Sequence, residues 1–165
     1  MTLTPAVRAT AGLGFTQIVG WGTTFLMPAV LGRHIGESLG LASEVVFAGI
    51  TVMFGVGSLL APLVGRLIDR SGARAIMASG SALYAVSLAA LAFAQGLASY
   101  LVCWAAMGIA STLALSTPSS IALAQVAGPG ARRAIAMLAI VGGFASTVFW
   151  PLSGALDVAL GWRGT

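Results

Sequence analysis

Charge is what this sequence lacks. Asp, Glu, Lys and Arg make up only 7% of its 165 residues, where a soluble domain carries about 25% to keep its surface wet. With 58% hydrophobic residues and a mean hydropathy of +1.00, lipid is the expected solvent. Lysine is missing altogether: all eight basic residues are arginine, and against four acidic residues they leave a net charge of +4. A pI near 10.7 raises the question of nucleic acid, but that recognition needs basic groups gathered on one face with aromatic or polar readers. Here the arginines are spread along the segments between apolar runs and read as topology signals, so no nucleic-acid partner is expected. Histidine and cysteine occur once each, as His34 and Cys103. A single cysteine excludes an intramolecular disulfide, and inside an apolar run it reads as a small hydrophobe. One His and one Cys cannot supply the axial ligands of a haem bundle or the clustered ligands of a metal hydrolase. No catalytic residue, metal ligand set or cofactor is expected, and the chain is not expected to be an enzyme.

What the sequence does have is long apolar runs. Five spans are expected, at about 9–31, 45–64, 75–94, 97–125 and 134–160. Each reaches the roughly 20 residues that a helix needs to cross a hydrocarbon core about 30 Å thick. Unalternating runs in lipid must be helical, because a helix satisfies its own backbone groups. The fold class is therefore all-α integral membrane. The first run follows a lone Arg8 but is longer than the apolar core of a secretory signal, so it is expected to be a retained span. Residues 32–40 read as a polar loop, Gln95-Gly96 as a tight turn, and Ala127-Gly128-Pro129-Gly130 as a break. If the spans alternate in direction, Arg8, Arg66, Arg70, Arg74, Arg132 and Arg133 fall on one side, against Arg33 and Arg163 on the other. The positive-inside rule then puts the N-terminus in the cytoplasm, in the cell inner (plasma) membrane. Gly161-Trp162-Arg163-Gly164-Thr165 reads as a loop leading toward another helix, and the sequence is expected to be truncated there.

Between the second and third spans stands Gly65-Arg66-Leu67-Ile68-Asp69-Arg70-Ser71-Gly72-Ala73-Arg74, which concentrates four of the chain's charges. Gly57, Ala61 and Gly65 recur every fourth residue, a spacing that lets a neighbouring backbone approach closely. Asp69 is placed to meet the positive N-terminal end of the next helix, and Gly72 permits a reversal. The pattern Gly65-x-Leu67-x-Asp69-Arg70-x-Gly72-x-Arg74 resembles the loop between helices two and three of the major facilitator superfamily. Gly161-Trp162-Arg163 resembles the segment before helix six in many members. The resemblance covers essentially the whole chain, as helices one to five of a twelve-helix transporter, a partial N-terminal six-helix half. It implies a secondary transporter moving a small solute by alternating access, with the C-terminal half of the same transporter as the missing partner. It also implies that Asp69, Arg70 and Arg74, with Gly65 and Gly72, latch the two halves on the cytoplasmic side. Ala73 stands where the family usually has a basic residue, which would weaken the latch. The alternative is that these arginines serve only as a topology anchor.

The resemblance further implies that the first and fourth spans line the central cavity. Gln17 is then the sharpest substrate-binding candidate, because a mid-membrane amide must find a partner. An interhelical hydrogen bond is the other reading. Trp21 and Trp104 are candidates for packing on a substrate or for filling the bundle. Ser111 and Thr112 are candidates too, although such hydroxyls mostly bond back to their own helix. A break in the fourth span is possible at Pro118. Many drug–proton antiporters of the family carry an arginine four residues before a helix-four glycine, whereas Trp104 precedes Gly108 here. Trp150-Pro151 only partly matches their Gly-Pro motif, and Pro151 reads more simply as a kink. No span carries a mid-membrane charge, the usual proton relay. His34 is expected to be an exposed loop histidine. Asp157 is expected to face water or pair with Arg163. The competing function is a structural or assembly subunit of a membrane complex without transport activity.

Overall fold

The structure is a computed structural model that describes residues 5–165, and all the regular secondary structure described is helical. It comprises α1 (Pro5–Thr23), α2 (Met27–Leu39), α3 (Ser43–Ser71), α4 (Ala73–Ala92), α5 (Leu97–Ala114), α6 (Ser116–Ala127), α7 (Ala131–Gly143) and α8 (Ala145–Gly164). A single 3₁₀ turn, Gly128–Gly130, separates α6 from α7. Among the described residues, three stretches are long and apolar enough to cross a membrane: α3, α4 and the helical run Leu97–Gly164. The chain is a multi-pass membrane protein.

The first expected span is not one helix. α1 stops at Thr23, a turn occupies residues 24–26, and α2 continues to Leu39. Pro28 sits in the first turn of α2, where its missing N–H costs nothing. The carbonyl of Gly20, in the last turn of α1, accepts the Thr24 hydroxyl at 2.7 Å and the Tyr84 hydroxyl at 3.1 Å. The break is thus sealed by a phenol from α4. The expected loop at 32–40 is consequently helical nearly throughout, ending at the left-handed Gly40, whose N–H bonds the Gly36 carbonyl.

Two more expected spans are interrupted. The fourth breaks at Leu115 (φ −89°, ψ −136°), three residues before the proline that causes it. Pro118 has no N–H for the carbonyl of Ala114, and its ring would crowd that carbonyl. The Ser119 hydroxyl reaches the Ala114 carbonyl instead, at 3.3 Å. The fifth span breaks at Phe144 behind the pair Gly142-Gly143, and helix resumes at Ala145 and runs through Pro151. Gly161 (φ +68°, ψ 170°) then turns the last residues aside, and Arg163 donates to the carbonyls of Ala92 (2.5 Å) and Ala94 (2.9 Å) at the end of α4.

Small residues set the packing. On α5, Gly108 lies so close to α3 that an added Cβ would stand 2.5 Å from the Met53 carbonyl oxygen. Gly49 of α3 lies under the indole of Trp104, and Gly57 lies under the Thr112 hydroxyl. The Tyr100 hydroxyl fastens the same seam by donating to the Val46 carbonyl at 2.7 Å. Such backbone approach is how membrane helices gain dispersion energy where lipid supplies no hydrophobic drive. The main core gathers Met27, Leu31, Ile35, Met53, Tyr100, Trp104 and Met107, with Trp162 packed against it.

Candidate functional site

α3 extends through the expected charged loop to Ser71, so Gly65, Arg66, Asp69 and Arg70 are helical, and only Gly72 makes the reversal. Gly72 (φ +79°, ψ 147°) lies close to a backbone region that is essentially restricted to glycine. Gly72→Ala is expected to lower unfolding stability by about 1–3 kcal/mol in a denaturing-detergent titration. Gly65→Ala, where nothing lies within 4 Å of an added Cβ, is expected to be neutral or slightly stabilising. Equal losses at both sites would show that the turn does not require its glycine. The expected close approach on this face is thus met at Gly57 but not at Gly65, and Ala61 is exposed. Asp69, Arg70 and Arg74 are exposed. Among the described residues, neither these three nor Arg66 makes an ion pair, and no side chain caps the start of α4. Asp69 therefore does not bond the next helix as its position suggested.

A cavity of about 460 Å³ lies between α1, α6, α7 and α8. Gln17 and Trp21 line one wall, Phe25 and Leu26 the turn, and Ser120 and Ser146 add hydroxyls opposite. The Gln17 side chain is only 3% exposed. Its Nε2 donates to Ser119 Oγ at 2.9 Å, and its Oε1 accepts the Trp21 indole N–H at 3.0 Å. Since the Ser119 hydroxyl goes on to the Ala114 carbonyl, a chain of hydrogen bonds runs from Trp21 to the break in the fourth span. The interhelical bond read for Gln17 is thus present, and the amide keeps one further hydrogen and one further lone pair. Gln17→Ala is expected to lower stability by about 1–2 kcal/mol, read by thermal unfolding in detergent. An unchanged midpoint would show that the chain of bonds carries no net energy.

The other candidates divide. Ser111 and Thr112 line a smaller cavity of about 210 Å³ that shares Trp21 as a wall with the larger one. Both hydroxyls bond back to the Gly108 carbonyl at 2.9 Å. Trp104 is fully buried over Gly49 and against Tyr100, and lines neither cavity. Sequence reasoning missed Phe25 and Phe54, which form a three-ring cluster with Trp21 at centroid separations of 6.1–6.3 Å. No local pattern marks that cluster, because its third ring comes from α3.

At the end of the bundle opposite Gly72, His34 of α2 meets Asp157 of α8, with Nδ1 2.5 Å from Oδ2. The expected pairing of Asp157 with Arg163 is therefore replaced, and His34 is a helical residue rather than a loop one. Arg33 pairs instead with Glu37 one turn on, at 3.7 Å on the surface.

The sequence model described as Major Facilitator Superfamily matches residues 12–165. No match was found among curated proteins or among solved structures. The matched stretch takes in every described helix but the first turns of α1, so the chain belongs to the major facilitator superfamily.

Proposed function

We propose that the chain forms the N-terminal part of a secondary transporter that moves a small solute by alternating access. The observation that carries this reading is the 460 Å³ cavity between α1, α6, α7 and α8, with its buried amide at Gln17 and its indole at Trp21. Gln17 would hold the solute by its remaining donor and acceptor, and Trp21 would pack on it. Ser111 and Thr112 would line a lesser extension, and Trp104 would support the seam behind them. A second, C-terminal half of the same transporter would close the cavity, so rocking between the halves would expose it alternately.

In the same reading the N-terminus is cytoplasmic, in the cell inner (plasma) membrane. The exposed, unpaired Asp69, Arg70 and Arg74 then act as the cytoplasmic latch, free to meet the facing half. Their lack of ion-pair partners among the described residues supports a role between halves over one within this bundle.

Ala139→Cys and Ser146→Cys, made in a Cys103→Ala background, place thiols on the cavity wall. In oriented vesicles a membrane-impermeant maleimide is expected to label them from one face. Asp69→Asn is expected to raise labelling from the cytoplasmic face several-fold. No labelling from either face would favour a structural subunit over a transporter.

A further inference from the structure

We infer that His34 and Asp157 form a proton-binding site, and that the bound proton clamps α2 to α8. The Asp157 side chain is only 8% exposed, yet it comes from an apolar helix and receives one partner. Its Oδ1 is buried with no hydrogen bond at all. A carboxylate so placed needs a neighbouring positive charge, and among the described residues the imidazole at Oδ2 is the group that can supply one.

The proton has a defined place. Nδ1 of His34 faces Oδ2, a carboxylate oxygen that can only accept, so the added proton belongs on Nε2, and the His34 side chain is 43% exposed. Protonation at Nε2 turns a hydrogen bond between a neutral donor and a carboxylate into an ion pair and cancels the net charge of the pair. Loss of that proton leaves a buried anion held by a neutral donor. A metal ion is poorly served: hard cations need about six oxygens, and among the described residues no three His, Cys, Asp or Glu side chains come together.

Other charges on the packed elements do not compensate. On α2, Arg33 and Glu37 pair with each other. On α8, the Arg163 guanidinium is held by the Ala92 and Ala94 carbonyls. Glu44, in the first turn of α3, makes no ion pair among the described residues. The remaining arginines of α1, α4 and α7 (Arg8, Arg74, Arg132 and Arg133) sit in the first turns of their helices, toward the Gly72 end.

The clamp bears on the candidate cavity because α2 and α8 continue the two broken spans whose other parts wall it. A coupling role for the proton rests on the transport reading, whereas the proton site and the clamp do not.

The test uses the whole chain in lipid nanodiscs, without solute. Spin labels at Ser38 and Val158, both exposed, are placed in a Cys103→Ala background. Their dipolar separation and the ring resonances of the only histidine are followed from pH 5 to 8, the range in which imidazole changes charge. The separation is expected to widen by about 1–2 Å, the scale of helix shifts at interfaces, in step with His34 losing its proton. In both Asp157→Asn and His34→Gln the separation is expected to be independent of pH. Two variants are used so that one poorly folded protein does not decide the matter. A separation that ignores pH in the parent, or one that still follows pH in the variants, overturns the inference. A cavity that labels from neither face would remove the transport reading and leave this result intact.

Discussion

Trp104→Ala is expected to lower unfolding stability by about 3 kcal/mol, within the range for deleting a fully buried Trp or Phe. The indole is closed in on every side by Gly49 of α3 and the Tyr100 ring. With no apolar drive between helices in lipid, the loss is one of dispersion contacts, and a void between two packed helices does not readily collapse. Trp104→Phe keeps most of that contact and should fall between parent and alanine variant. Trp21→Ala removes a half-buried ring at a cavity wall and should cost about 1 kcal/mol or less, since the site is already partly open. The comparison is made by denaturing-detergent titration. A Trp104→Ala variant as stable as Trp21→Ala would mean that Trp104 is not a core residue, and would restore it as a solute contact.

Gly108→Val tests the same seam from the opposite side. The atoms that an added Cβ would meet are the oxygen, Cα and carbonyl carbon of Met53, at 2.5–3.2 Å, all of them backbone. A side chain in that position could rotate away, but backbone cannot, so α3 and α5 must separate. Overpacking alone costs about 1–3 kcal/mol. Separation would also weaken the Tyr100–Val46 hydrogen bond and lift Trp104 off Gly49. The net loss is expected to reach about 3 kcal/mol or more, with a fall in folded yield. Gly55→Val, on the same α3 but with nothing within 4 Å, serves as the control and should stay near the parent. Similar yields and midpoints for the two variants would refute the close crossing.

Much of this was legible in the residues. The scarcity of charge and the length of the apolar runs pointed to membrane helices, and the Gly65–Arg74 pattern pointed to the family that the chain belongs to. The loop at 32–40 misled because Gly, Arg, His and Glu read as solvent-exposed turn residues, whereas here they extend a helix beyond a break. Likewise Pro118 announced an interruption, but the interruption falls one turn earlier, since a proline disturbs the carbonyl four residues before it. The His34–Asp157 contact was beyond reach: each residue looked ordinary locally, and only the packing of α2 on α8 joins positions 123 residues apart. Gln17 illustrates the middle case. Its need for a partner was evident from chemistry alone, but the identity of that partner depended on where the fourth span breaks.

The three interruptions, at residues 24–26, Leu115 and Phe144, have a mechanical consequence. A helix owes its stiffness to an unbroken ladder of hydrogen bonds, and bending concentrates wherever the ladder is cut. α4 has no such cut, and α3 stays helical throughout although Pro62 removes one rung of its ladder. The other three spans are jointed, and the segments on the Gly72 side of the joints, α1, α6 and α7, pack on one another. The bundle therefore sets two continuous helices beside three members that can flex together at their joints. Its compliance lies beside the cavity, where Gln17 spans the gap between one joint and the next.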